Sequence, residues 1–254
     1  MRILRGGIDL LQSAAINADI PVVRRTHRAG LYAEDRFRRG RRRWRRRAGR
    51  RLLWLVSVAL VFLAIAAALR TPVWWFAAGL ACGGSCTFGL WVWEQPPWDV
   101  AKWGIGAQGE RWTEDALRGL EDEGWTVEHD LEREYGNDDH LVVSPNGVYL
   151  LETKALRGRV TVENGVLSSV SLDDPENVNN WDRLAAGLRG RAATVSRKAA
   201  ADSGETQWVQ GVVVIWGDFV QRAVVDDHIV YVHGSALVEW LRAQRPARVE
   251  LMLR

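Results

Sequence analysis

Leu52 to Leu69 and Val73 to Trp93 are two runs without a charged residue, separated only by Arg70-Thr71-Pro72. At about 1.5 Å per residue they make helices of roughly 27 and 31 Å, the thickness of a bilayer's hydrocarbon core. Three residues between them leave room only for a tight reversal, so the pair reads as a transmembrane helical hairpin (52–69 and 73–93). Trp54, Trp74, Trp75, Trp91 and Trp93 fall toward the run ends, where interfacial aromatic belts form. Gly79 and Gly83, like Ala64 and Ala68, have the small-xxx-small spacing that lets helices approach closely. Ordinary membrane-helix composition produces the same spacing.

The formal charge of +3 conceals a split on either side of these runs. Residues 1–51 hold 16 Arg against 4 acids, whereas residues 99–254 hold 17 Lys+Arg against 26 Asp+Glu. Few apolar residues and high charge predict a disordered, cytoplasmic Arg-rich arm over 1–51. A topogenic role is the simplest reading of the arm, because positive charge holds its side of a membrane in the cytoplasm. Attraction to anionic lipid and capture of nucleic acid are the alternatives. Two spans then place both termini in the cytoplasm and the chain in the cytoplasmic (inner) membrane. Cys82 and Cys86 lack the spacing and partners of a zinc site or a disulfide framework.

Beyond a Pro-containing linker (94–104), one stretch concentrates the chemistry: NDDHLVVSPNGVYLLETK, Asn137 to Lys154. Two apolar runs around Pro-Asn-Gly predict a β-hairpin, with Asn146-Gly147 as the central pair of a type I′ turn. In that register facing positions sum to 293, so Leu141 faces Glu152 and Asp139 faces Lys154. Alternation then puts Asp139, Glu152 and Lys154 on one face. A three-residue loop would shift the sum to 292 and turn Glu152 and Lys154 away from Asp139. Two carboxylates and an ammonium at the end of a core-facing strand pair must be mutually paired or bind something. Only three lysines occur, Lys102, Lys154 and Lys198, in a chain that otherwise uses Arg. A lysine inside this stretch therefore suits a place where a compact point charge is wanted.

Asp139, twelve intervening residues, then Glu-Thr-Lys resembles the metal-binding signature of the PD-(D/E)xK nuclease superfamily. More narrowly, Gly106 to Gly158 resembles the nuclease-related domain called NERD. Its pieces occur in order: Gly-Ala-Gln-Gly-Glu (106–110) opening a helix, Asp-Asp-His-Leu-Val-Val (138–143), Pro-Asn-Gly-Val (145–148), then Glu-Thr-Lys and Gly158. The resemblance implies a restriction-endonuclease-like α/β core with a mixed central sheet flanked by helices, over residues 105–254. Family members often carry an Asn-Pro-x-x-Gln-like segment before the second long helix. Here NVNNWDRL stands there without the Pro and Gln, which puts a substrate role for that helix in doubt.

The remaining pattern fits such a core. Ala107 to Glu123 is helical by period, and Glu110 lies seven residues before Leu117, on the core-facing side. A first-turn acid is favoured by the helix dipole alone; beside Asp139 and Glu152 it becomes the third acid of a site. Trp125–Leu131 reads as the first strand. Arg159–Glu163 and Val166–Val170 read as a second hairpin around Asn164-Gly165. Asp173–Asn180 reads as polar loop and 180–201 as a helix. Gln210–Trp216 reads as a strand buried on both faces, Asp227–Val232 as a short strand and Ser235–Gln244 as a helix. His140 reads as structural, and His129 and His228 carry no argued role.

Phosphodiester hydrolysis loads negative charge onto phosphate and leaving-group oxygens, which a carboxylate-held divalent cation offsets. Mg²⁺, or Mn²⁺, is the cation expected. Its expected ligands are Asp139, Glu152, the backbone carbonyl of Thr153, and Glu110 directly or through water. Lys154 would orient or help deprotonate the attacking water. The sequence thus predicts a membrane-anchored, Mg-dependent, endonuclease-like hydrolase acting on nucleic acid, DNA before RNA. The alternative is a catalytically silent nuclease-fold module for nucleic-acid or protein binding, which the domain's net negative charge favours.

Overall fold

The computed structural model describes residues 28–134, 136–204 and 206–244. The chain divides into two units. One is Ala33–Gly104; the other joins the chain up to Tyr32 to the chain from Ile105 onward.

In the first unit, α1 (Leu31–Leu69) and α2 (Pro72–Glu94) are both long and apolar enough to cross a membrane. Their contact is a seam of small side chains. Within the two apolar runs the buried positions are Ala59 and Ala66 on α1, and Ala78, Ser85 and Val92 on α2, seven residues apart on each helix. A seven-residue repeat keeps one seam facing a neighbouring helix. Gly79 and Gly83 lie off it, with open space where a Cβ would stand. Across the pair Phe62 meets Trp74, and the Arg45 guanidinium sits 3.8 Å over the Trp93 ring. Arg41 and Arg45 also reach the Trp93 carbonyl at the C-terminal end of α2, where cations are favoured.

Two expectations are corrected here. From Leu31 the Arg-rich arm is helix, not disorder, continuous with the first apolar run; its residues before 28 lie outside the described residues. Arg is a good helix former, and a stable downstream helix removes the cost of nucleation. The linker is also shorter than 94–104, because α3 (Trp98–Leu117) begins directly after Pro97, whose carbonyl accepts from Val100 and Ala101.

The second unit is built on an eight-stranded mixed sheet. Its strands are β1 (Thr126–Glu132), β2 (Asn137–Ser144), β3 (Gly147–Glu163), β4 (Val166–Val170), β5 (Val178–Trp181), β6 (Val209–Asp218), β7 (Ala223–Asp226) and β8 (Ile229–His233). The order is β1-β2-β3-β6-β8-β7, with β4 and β5 extending from the far half of β3. β3 runs antiparallel to β2 and parallel to β6. Helix α4 (Leu184–Ser203) covers one face through Leu188 and Ala192, over Leu141, Leu150, Val213 and Ile215. Leu117, Leu120 and α5 (Leu237–Ala243) cover the other, over Val142, Leu151, Val212 and Val214. Consecutive residues 212–215 are fully buried, which accounts for the unbroken apolar reading of β6. The short strand β5 falls at the end of the expected polar loop and the start of the expected helix, and β7 falls in a stretch that carried no expectation.

Candidate active site at the fork of two strands

The first hairpin closes one turn earlier than Asn-Gly implies. Ser144 pairs with Gly147 and Val143 with Val148, so Pro145 and Asn146 are the central residues. Proline cannot take the positive φ of a type I′ turn, and Asn146 keeps a negative φ. Ser-Pro-Asn-Gly is instead the residue preference of a type I turn. Ser144 Oγ accepts the Asn146 N–H at 3.1 Å and donates to the Gly147 carbonyl at 3.2 Å. Facing positions therefore sum to 291, two less than predicted, and Leu141 faces Leu150 rather than Glu152. An even slip preserves alternation. Asp139, Glu152 and Lys154 still share the parity of Leu141 and Leu150.

The ladder between β2 and β3 ends at His140 and Leu151. Pairing with β1 is interrupted at the same level: His129 faces His140 and Leu131 faces Asp138, while Asp130 between them takes φ +52°. Asp139 thus sits at a fork, and its carboxylate accepts the Thr153 N–H at 2.7 Å. Helix α3 comes up against β3 at this level. A Cβ on Gly109 would stand 2.8 Å from that of Ala155, so the close approach requires glycine. The next residue is Glu110. Trp216 donates to Thr113 Oγ, which meets Thr153 Oγ at 3.0 Å and locks α3 to β3.

Glu152 is held by two cations. Lys154 Nζ donates to one carboxylate oxygen and Arg191 Nη2, from α4, to the other, each at 2.5 Å. Arg191 Nε also lies 3.0 Å from Asp138, which pairs on its other oxygen with Arg133 at 3.2 Å. Burial would raise the Glu152 pKa, but Lys154 and Arg191 together hold it below the usual range. The Lys154 pKa is lifted, burial being outweighed by Glu152 and Asp139. Asp139 and Glu110 have the opposite fate. Burial, then Glu152 and Glu110, push Asp139 well up. Burial, then Asp130 and Glu152, push Glu110 up to about 7, with Lys154 and the Gly30 backbone pulling the other way. One oxygen of Glu110 is buried with no hydrogen-bond partner.

The structure therefore brings Glu110, Asp139, Glu152 and Lys154 into mutual electrostatic reach. Among the described residues, no three carboxylate, histidine or cysteine side chains stand as a ready metal cage. Hard oxygens, an orphaned buried carboxylate oxygen and acids that raise one another's pKa nonetheless suit a divalent cation. His140 is fully buried, its Nδ1 2.7 Å from that of His129.

Residues 105–216 match the family model described as nuclease-related domain, NERD. These residues form a nuclease-related domain. No curated protein and no solved structure matches the chain significantly. The matched stretch of the NERD domain runs from α3 through most of β6, so it contains the fork and its four residues.

Other parts of the NERD unit's charged centre escape the sequence reading. Arg191 had a local signal, because it falls between Leu188 and Ala192 on the apolar stripe of α4, an odd place for a cation. Asp130 and the turn at Ala29–Tyr32 had none. In that turn the Ala29 N–H donates to Glu114 at 3.1 Å and the Tyr32 N–H to Asp130 at 2.9 Å. Gly30 takes φ +77°, and a Cβ there would stand 2.9 Å from the Ala107 carbonyl oxygen.

Proposed function

We propose that this chain is a membrane-anchored nuclease that hydrolyses phosphodiester bonds with Mg²⁺ or Mn²⁺, on DNA before RNA. The observation that carries the reading is the pair of buried acids with raised pKa, Glu110 and Asp139, the first with an oxygen that has no hydrogen-bond partner, beside a Glu-Lys pair in a NERD domain. Buried acids of this kind need a proton or a cation. Asp139 and Glu110 would hold the metal, with Glu152 and the Thr153 carbonyl completing its ligands. When bound, the cation would offset charge on the phosphate and lower the pKa of a bound water. Lys154, kept protonated by its acidic neighbours, serves as a charge on the phosphate oxygens or the leaving oxygen rather than as the base. In the balanced reaction a water oxygen forms the new bond to phosphorus. The P–O bond to the leaving sugar oxygen breaks, and the water's proton ends on that oxygen.

The anchor is α1 and α2, in the cytoplasmic membrane with both termini in the cytoplasm. The Arg-rich first half of α1 meets anionic lipid, at about 1 kcal/mol per charge near the surface. The test is Mg²⁺-dependent cleavage of plasmid and of RNA by the full-length chain in detergent, with EDTA and Asp139→Asn as controls. Equal rates in all three overturn the reading.

A second reading, a nuclease-fold module that binds without cutting, has its own support. Both Glu152 oxygens are already occupied by Lys154 and Arg191. Metal-independent DNA binding without cleavage would favour it.

A further inference from the structure

The NERD signature contains no arginine between Asp139 and Lys154, yet the fork holds one. Arg191 reaches it from α4, a helix 39 positions away in the chain, with 21% of its side chain exposed. Its guanidinium is shared between Glu152 and Asp138, so it is held in place from two sides. The helix that supplies it is the basic element of an acidic domain. Arg183, Arg189, Arg191, Arg197 and Lys198 lie within sixteen positions, and Arg183, Arg197 and Lys198 are exposed. Each Glu152 oxygen already accepts from one cation, so a metal at Glu152 competes with Lys154 and Arg191 for the carboxylate. Lys154 is its near neighbour on the same strand; Arg191 has Asp138 to fall back on.

We infer that Arg191 is a substrate-phosphate contact, held by Glu152 in the metal-free site and turned to the phosphate when a divalent cation takes Glu152. The inference rests on the metal-dependent reading above. A planar fork of N–H donors suits two phosphate oxygens better than an ammonium does. Arg197 and Lys198 continue the same helix outward, giving the backbone of the nucleic acid a local basic track despite the acidic surroundings.

The test uses the full-length chain in detergent micelles. Mn²⁺ binding is read by electron paramagnetic resonance. Binding of a fluorescent DNA duplex is read by anisotropy, without metal and in Ca²⁺. For Arg191→Gln we expect Mn²⁺ binding unchanged or tighter, because a competitor for Glu152 is gone. DNA affinity in Ca²⁺ should fall about tenfold, and the slope of log affinity against log salt should drop by about one. Glu152→Gln should raise DNA affinity in the absence of metal, and the added Arg191→Gln should cancel that gain. Arg191→Lys, which keeps the charge for folding, should recover part of the affinity. Parallel loss of Mn²⁺ binding and melting temperature in both Arg191 variants would make it a structural strut and overturn the inference. So would unchanged DNA binding in Arg191→Gln. Failure of the wild-type chain to bind Mn²⁺ would instead overturn the metal reading itself, and this inference with it.

Discussion

The two halves of the fork contain the same kinds of acid in opposite electrical states. Glu152 sits between Lys154 and Arg191, which hold its pKa down; burial raises that of Asp139, beside Glu152 and Glu110, and that of Glu110, beside Asp130 and Glu152. One half is balanced by two cations of the chain itself, and the other is left with acids of raised pKa. The contrast separates a carboxylate neutralised within the fold from two that, on the proposed function, would hold the metal.

The largest effect should come from the unbalanced half. Asp139→Asn should lower cleavage by about 10²–10³-fold or more, while the melting temperature in EDTA stays level or rises, because a buried acid is gone and Asn can still accept the Thr153 N–H. A variant that both unfolds and loses activity would erase the distinction between the halves. In the balanced half, Glu152→Gln should cost about 3 kcal/mol, since it removes the carboxylate that two largely buried cations share. Thermal or denaturant melts in EDTA would show it, and a neutral result would mean that Lys154 and Arg191 find other partners.

Next comes pH. Glu110 titrates near 7 in the fold against 4.5 ordinarily, so between those values the folded chain binds more protons than the unfolded one. Stability without metal should therefore fall as pH rises through this window, by up to about 3 kcal/mol for a shift of this size. Mg²⁺ should reverse the trend, binding more tightly as pH rises past 7 and releasing protons as it does. Melts from pH 5.5 to 8, with EDTA and with Mg²⁺, test both signs. Glu110→Gln should flatten the metal-free curve. The smallest effect is expected at Gly30→Ala. Its positive φ and the nearby Ala107 carbonyl predict a loss of about 1–2 kcal/mol. A weaker backbone donor to Glu110 should move the pH at which metal binds slightly upward.

How much of this was legible depended on range. Alternation was enough to place Asp139, Glu152 and Lys154 on one face, because an even slip of register leaves every side chain on its original side. The register differs from the expected one because Ser-Pro-Asn-Gly favours a type I turn with Pro145 in its second position. The second hairpin makes the comparison plain: Asn164 and Gly165, with no proline before them, take φ of 51° and 77° and form the turn that Asn-Gly favours. The four-residue strands Val178–Trp181 and Ala223–Asp226 are too short for an apolar alternation to be read, and they are edge pieces with largely exposed side chains. The Arg-rich arm misled because charge argues for disorder only where nothing downstream nucleates a helix. Arg191, at least, stood on an apolar stripe. The donors at Ala29 and Tyr32 find their acceptors 85 and 98 positions away, and no local pattern encodes such a meeting.

That last contact fixes a parity. The chain leaves the nuclease-related unit after Tyr32 and returns to it at Ile105, so any membrane crossed in between must be crossed an even number of times. The rule owes nothing to arginines or to lipid; it follows from one folded body owning both ends of an excursion. It also sets a schedule. A ribosome delivers the apolar pair before it delivers Glu114 or Asp130, so the turn at Ala29–Tyr32 waits, tethered on the side where translation leaves it, until its acceptors arrive.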